Sequence, residues 1–319
     1  MKVLVTGVAG FIGMHCAQRL SARGDEVVGV DNLSPYYSVQ LKRDRLKQLR
    51  IAFHQIDIAN ARSLNSIFEN TKPQAVLHLA AQPGVRYSLV NPGAYFTNNL
   101  TAFGHVIEGC RRSRITHLVY ASSSSVYGAN HVLPFSEEQS VDHPVSLYAA
   151  TKKANELIAH SYSHLHRLPT TGLRLFTVYG PWGRPDMAPM LFTKAILAGE
   201  PIRVFNHGKM RRDFTYVGDI VEGIMRILEK PPRADGDDAP YAVYNVGNHE
   251  AVPIETFIGT LETLLGKRAI RDYAPMQPGD VPATYASIDR LAAVTGFAPR
   301  TSLADGLAKF VEWYREYYA

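Results

Sequence analysis

The sequence predicts an α/β fold: a doubly wound parallel sheet with helices on both faces, followed by a smaller second part. Three observations carry this. Short apolar runs of strand length recur, separated by stretches of helical periodicity. A turn with three glycines stands between the first such run and the first helix. The regular alternation ends after Phe176, where Gly180, Pro181, Gly183, Pro185 and Pro189 crowd together. Lys2 to Thr6 is continuous enough in apolar character to be a strand buried on both faces. A helix to about Arg23 follows, then strand Glu26 to Asp31. A helix near Val39 to Leu49 leads to a third strand, Ile51 to Ile56. A helix over 62–70 precedes a fourth strand, Ala75 to Leu79. One helix over about 93–112 leads to His117 to Ala121, and a long one over about 146–166 to Thr170 to Leu175. Later come a helix over 190–199, a segment over 201–205 and a helix over 216–229. A polar loop over 230–240 then leads to a returning strand, Tyr244 to Val246. The division expected is residues 1–176 plus about 214–248 for the first domain, and about 177–213 plus 249–319 for the second.

Composition excludes several classes. The 319 residues are 46% hydrophobic and 20% charged, which is ordinary for a globular chain and not for a disordered, collagen-like or coiled-coil one. The net charge of +5 is mild, and the densest basic run, Lys42 to Arg50, is interrupted by Asp44 and apolar residues. It reads as a solvated helix, so no nucleic-acid partner is expected. No apolar run reaches about 18 residues, so no membrane span is expected. The N-terminus reads as a strand cut short by glycines rather than as a signal peptide. Cys16 and Cys110 lack metal spacing and make no disulfide framework, which fits a reducing cytoplasm and no metal.

The turn Thr6 to Gly13 holds the first candidate site. Gly7 permits a tight turn, Gly10 lets the backbone approach a pyrophosphate, and Gly13 lets helix and strand pack closely. Phe11 and Ile12 open a helix whose free N–H groups and positive dipole end suit phosphates. The spacing is GxxGxxG rather than GxGxxG, yet the context of strand, turn and helix is that of a Rossmann-type dinucleotide site. Asp31 closes the second strand with Asn32 beside it. A carboxylate there accepts the ribose hydroxyls of NAD and repels the 2′-phosphate of NADP. Asp57, followed by Ile58, is a candidate for the adenine edge or a plain loop aspartate.

Tyr148 and Lys152 form the second candidate. A separation of four puts them on one helix face. An ammonium, together with a cationic nicotinamide, lowers a phenol's pKa from its usual value of about 10 toward that of a useful base. With 17 tyrosines the spacing arises easily by chance, so its weight comes from Ser122 to Ser125. That run follows the fifth strand directly, at the sheet edge where open α/β folds bind ligands.

TGVAGFIG, HLAAQ, ASSSSVYG, YAATK and RRDFTYVGDI occur in this order. With them the chain resembles the extended short-chain dehydrogenase/reductase superfamily over essentially its whole length, and within it the nucleotide-sugar epimerases. The block from Pro144 to Ala188, with AAQPGVRYS upstream, is most similar to the branch that acts on UDP-glucuronate. The resemblance implies a smaller substrate-binding domain and 4-epimerisation to UDP-galacturonate. The 4-hydroxyl would be oxidised by NAD to a transient 4-keto sugar, and the hydride returned to the opposite face. It makes Tyr148 the base, Lys152 its partner and Ser123 the hydroxyl bonding the reacting oxygen. Leu79, Ala80 and Ala81 would line the cofactor, and Asn98 would order the site there. Thr177 and Arg212 would meet the UDP-sugar, Arg212 at its diphosphate, and Asp280 its uridine ribose. Gln277 stands where the family often has arginine.

A 4-keto uronate is a β-keto acid prone to lose carbon dioxide, so its carboxylate must be held. Arg184, Ser124, Ser125 and Thr177 are candidates, with Arg86 a further one, and either arginine could instead be a loop-stabilising charge. The resembling decarboxylases carry a glutamate at the position of Ser125, and the dehydratases an Asp-Glu pair at Ser124-Ser125. The two serines therefore favour epimerisation over UDP-glucuronate decarboxylation, over 4-epimerisation of a neutral UDP-hexose, and over a non-catalytic NAD-binding sensor. The resemblance also implies a homodimer packed through the helices near 93–112 and 146–166. Their apolar positions, such as Val106, Leu157 and Ile158, would equally serve a monomer's core.

Overall fold

The computed structural model describes residues 1–277 and 279–318. Pro278, inside the Gln277 to Asp280 segment, and Ala319 lie outside the described residues. Six strands alternate with helices: β1 (Lys2–Thr6), β2 (Glu26–Asp31), β3 (Ala52–Gln55), β4 (Ala75–His78), β5 (His117–Ala121) and β6 (Thr170–Leu175). The returning strand Tyr241–Val246 completes a seven-stranded sheet in the order returning strand, β6, β5, β4, β1, β2, β3. Every pairing is parallel. The returning strand begins earlier than its apolar run, because Tyr241 and Ala242 pair with Thr170 and Thr171.

The continuous apolar strands have their cause in burial on both faces. Helices Phe11–Ala22 and Val217–Leu228 cover one face through Cys16, Leu20, Ile220 and Ile224. Helices Ala61–Thr71, Ala102–Arg112 and Leu147–His166 cover the other through Leu64, Phe68, Phe103 and Val106. The edge strand β3 is largely exposed and correspondingly polar at His54 and Gln55. A third apolar cluster gathers helices Ala188–Ala198, Ile254–Leu265 and Leu303–Tyr318 through Phe192, Phe257, Leu261, Phe310 and Trp313.

Two expected elements differ. The helix near 190 starts before Pro189 instead of after it. A proline in the first turn lacks only an N–H that would have no helical partner. The helix expected over about 93–112 runs unbroken from Pro92 to Arg112 but contains a wider π-type turn, Phe96–Thr101, between Pro92–Tyr95 and Ala102–Arg112, and a separate short turn, Tyr87–Val90, precedes it. Asn91 caps this helix by accepting from the Ala94 N–H at 3.3 Å. Such wide turns re-aim side chains and are frequent at functional sites.

The chain runs outward from β1 to β2 and β3, then crosses back over β1 to β4. The strand order reverses between β1 and β4, and the crevice at their carboxyl ends is where ligands bind in such sheets.

Candidate active site

That crevice opens into one cavity of about 1260 Å³. Every residue named above as a candidate for catalysis, cofactor binding or substrate binding lines it. At one end lies the glycine turn. Gly7 has φ +74°, and a Cβ there would stand 2.7 Å from the Ala80 nitrogen, so the strand end Leu79–Ala80 runs directly against it. Gly13 packs its Cα against the Gly7 carbonyl, closing the turn on itself. Gly10 caps the helix Phe11–Ala22 without any side-chain acceptor, and the first turn holds no acidic residue. Its N–H groups are left for an anion.

Asp31 is buried and already engaged. Oδ2 accepts from the Ala9 N–H at 3.1 Å and Oδ1 from the Leu33 N–H at 2.8 Å. A carboxylate has about four acceptor sites, so capacity for hydroxyl donors remains. Burial pushes its pKa up, against the lowering pull of those N–H groups, Lys42 and Arg45. Asn32 Nδ2 donates to Asp57 Oδ2 at 3.4 Å, and Asp57 Oδ1 accepts from the Ala59 N–H at 2.8 Å. Ile58 is buried beside them.

Tyr148, Lys152 and Ser123 meet in the middle of the cavity. Ser146 starts their helix by accepting from the Ala149 N–H at 3.1 Å, which puts Tyr148 in the first turn. Within the protein alone the Tyr148 phenol lies above its ordinary value. Burial pushes it up, and the Ser123 hydroxyl and the Arg184 guanidinium pull it down. Lys152 donates from Nζ to the Ala121 carbonyl at 2.8 Å. Burial lowers it to about 8, with Glu156 acting in the opposite direction. Ser124 and Ser125 form the turn just after Ser123, and Thr177 begins a short strand, Thr177–Tyr179, that faces the same space.

The arginines arrive paired. Arg184 grips Asp186 through Nε at 3.1 Å and Nη2 at 2.6 Å, and Tyr36 donates its hydroxyl to the same carboxylate at 3.0 Å. Asp280 stands between two cations, with Arg212 at 3.3 Å and Arg86 at 3.5 Å. Arg86 also lies over the Phe205 ring, 4.9 Å from its centroid. Arg86 therefore belongs with Arg212 and Asp280, whereas Arg184 acts on Tyr148.

A family model described as the NAD dependent epimerase/dehydratase family matches residues 3–247. The chain belongs to that family. It is 52% identical over 332 residues to Protein CapI of Staphylococcus aureus, covering 100% of this chain and 99% of the relative. It is 46% identical to the probable UDP-glucuronate 4-epimerase of Rhizobium meliloti, with 100% and 98% covered. Among solved structures it is similar to UDP-glucuronic acid 4-epimerase from Bacillus cereus in complex with UDP-glucuronic acid and NAD, at 34% identity, TM-score 0.91 and 100% of both chains.

In this member of the epimerase/dehydratase family, several site residues escaped the sequence reading. The basic run is not a solvated helix: Lys42 and Arg45 of helix Val39–Lys47 are buried. Arg45 donates to the carbonyls of Ala9, Trp182 and Gly183, and Lys42 to the Ser34 carbonyl at 2.7 Å. Together they tie the glycine turn to the Arg184 loop. An interrupted charge run carries no mark of which members point inward. Tyr36 and Asp186 were missed for the same reason. Asn98 lines the cavity and donates to the Ala94 carbonyl at 2.8 Å. Its neighbour Asn99 does more: Oδ1 accepts from the Gln82 N–H at 2.8 Å, and Nδ2 donates to the Gln82 carbonyl and the Thr151 hydroxyl. Two consecutive asparagines inside a helical pattern were the available signal. Among the described residues no group of three His, Cys, Asp or Glu could hold a metal, and no helix is long and apolar enough to cross a membrane.

Proposed function

We propose that this chain interconverts UDP-glucuronate and UDP-galacturonate by NAD-dependent 4-epimerisation. The observation that carries the reading is local: Tyr148, the Arg184 guanidinium and the hydroxyls of Ser123, Ser124 and Ser125 line one cavity. A base, a carboxylate-binding cation and neutral hydroxyls in one place suit an acidic sugar that must neither lose water nor carbon dioxide. The relatives named for UDP-glucuronate support the same substrate.

The glycine cradle, the uncapped helix N-terminus and Asp31 fit NAD. Gly7, Gly10, Phe11, Ile12 and Gly13 would face its phosphates, and Asp31 a ribose, with Asn32, Asp57 and Ile58 at the adenine. Leu79, Ala80, Ala81, Asn98 and Lys152 would hold the nicotinamide end. Bound there, NAD supplies reversible oxidation at carbon 4. Tyr148 takes the proton of the 4-hydroxyl and gives it back, with Ser123 hydrogen-bonded to the same oxygen. Arg184, with Thr177, Ser124 and Ser125, keeps the carboxylate from the geometry that decarboxylation needs. Arg212, Asp280 and Arg86 serve the UDP portion; Arg86 is moved there from the carboxylate by its contacts with Asp280 and Phe205. The proposed division is residues 1–176 plus about 214–248 for the NAD-binding domain and about 177–213 plus 249–319 for the substrate domain, with the apolar cluster around Phe257 and Phe310 in the latter.

A homodimer through helices Ala102–Arg112 and Leu147–His166 suits the exposed Leu157 and Leu165. Val106 is taken up by the chain's own core, so it is not available to a partner. Free, buried Cys16 and Cys110 suit a reducing compartment such as the cytoplasm.

Incubating the protein separately with UDP-glucuronate, UDP-glucose and UDP-xylose and identifying products by NMR tests the activity. UDP-galacturonate from the first tube alone supports the reading. A UDP-pentose from that tube, or turnover of the neutral sugars alone, overturns it.

A further inference from the structure

Three successive turns of helix Leu147–His166 meet three successive residues at the end of β5. Tyr148 faces the same cavity as Ser123, whose hydroxyl pulls its phenol pKa down, Lys152 donates to the Ala121 carbonyl at 2.8 Å, and Glu156 accepts from the Ser122 hydroxyl at 2.6 Å. The spacing of four places all three on one helix face. Glu156 has a second partner on the neighbouring strand. Arg174 of β6 donates to it from Nε at 3.0 Å and Nη2 at 2.9 Å. Both side chains are at most 4% exposed. Arg174 also donates to the Tyr127 hydroxyl at 3.1 Å, which in turn donates to Asn245 at 2.7 Å.

We propose that Glu156 and Arg174 are positioning residues for the reaction: their ion pair holds the Ser122–Ser123 strand end in register with Tyr148 and Lys152, and keeps the net charge beside Lys152 at zero. The proposal rests on reading Tyr148 and Lys152 as the reacting pair. A buried ion pair is weak evidence for stability, because desolvation offsets much of its attraction. Its cost is better explained by what it touches, since both residues flanking Ser122 are used by Lys152 and Tyr148.

The charge balance follows from the surroundings. Around Lys152, Glu156 and Arg174, β4 brings His78, β5 Tyr120, the turn after it Tyr127, the returning strand Tyr241 and the helix itself Tyr148. Burial keeps His78 neutral, down to about 3. Burial also pushes all four phenols up. Farther out, Arg184 acts on Tyr148, and Glu137 faces Tyr127 and accepts from the Asn245 N–H at 2.7 Å; the charged pair that shares the strand end with Lys152 is Glu156 and Arg174, and removing either leaves the other to act on Lys152.

The experiment is a pH titration of the Lys152 ε-carbon by NMR in protein labelled with 13C-lysine, the resonance assigned with Lys152→Arg. Beside it runs the pH profile of kcat and KM on UDP-glucuronate. The wild-type midpoint is expected near about 8. Glu156→Gln lowers it and Arg174→Gln raises it, each by roughly one pH unit. The double variant returns it to the wild-type value, and the alkaline limb of kcat follows. Midpoints that stay put, move together, or fail to return in the double variant overturn the charge balance. Glu156→Asp keeps the charge and shortens the reach. It is expected to cut kcat about 10-fold or more with KM unchanged, and an unchanged kcat overturns the positioning role. If the single variants do not fold, Glu156→Asp and the double variant carry the test alone. A fully active Tyr148→Phe would end the underlying reading, and it leaves the lysine titration free to succeed or fail by itself.

Discussion

The two ends of the cavity are built in different ways. At the dinucleotide end the groups offered to a ligand are backbone N–H groups and one carboxylate, all from residues 7–31, a single strand–helix–strand unit. At the sugar end they are side-chain charges. Arg86, Arg184, Arg212 and Asp280 come from four separate segments, and each is already in an ion pair. A backbone site costs little to preorganise, but it requires residues without a Cβ. A side-chain site must keep its charges neutralised before the substrate comes, so ligand binding there is an exchange of partners.

That contrast can be broken most severely at Gly7. Gly7→Ala combines a positive φ with a Cβ within 3 Å of the Leu79–Ala80 backbone. Strain of about 1–3 kcal/mol and overpacking of similar size should weaken NAD binding at least about 100-fold. Titration calorimetry with NAD and, separately, with UDP-glucuronate checks it. If both ligands weaken equally, the two ends are not independent. At the sugar end, Arg184→Gln should cost UDP-glucuronate about 1.5–3 kcal/mol of kcat/KM, or roughly 10- to 150-fold. Any residual turnover of UDP-glucose should fall less, because it loses only the pull of Arg184 on Tyr148, and the affinity for NAD should stay within about threefold. Equal losses for acidic and neutral sugars would remove Arg184 from carboxylate recognition. The smallest effect is expected at Asp31, which shares its oxygens between structure and ligand. Asp31→Asn should narrow the preference for NAD over NADP by about 10-fold, near 1–2 kcal/mol, as measured by paired dissociation constants.

The same contrast explains what was legible beforehand. The glycine turn, Asp31, and Tyr148 with Lys152 sit at local spacings, and a local spacing is a geometry once strand and helix are known. Helix existence was equally legible from apolar periodicity, and β2, β5 and β6 appear with the expected ends. The π-type turn inside the helix from Pro92 to Arg112 was not, because Asn99 holds that turn with bonds to Gln82 and Thr151, 17 and 52 residues away. Arg184 was recognised by type, while Asp186 and Tyr36, which hold it, were not. The charge run predicts a solvated Arg45, yet it is fully buried, since three carbonyls, two of them more than 130 residues distant, supply its acceptors.

By itself the sequence determined the parallel sheet, the dinucleotide turn and the placing of Tyr148 and Lys152 on one helix face, because apolar period, glycine placement and a four-residue spacing act within one or two elements. Only the tertiary structure decided which charges are free and which are paired. It also decided that Arg86 sides with Arg212 rather than Arg184, and that Glu156 and Arg174 stand behind Lys152. Those outcomes depend on distances between segments far apart in the chain, and on burial that turns a surface-type residue into an interior one. Neither quantity is carried by a residue's own neighbours in sequence.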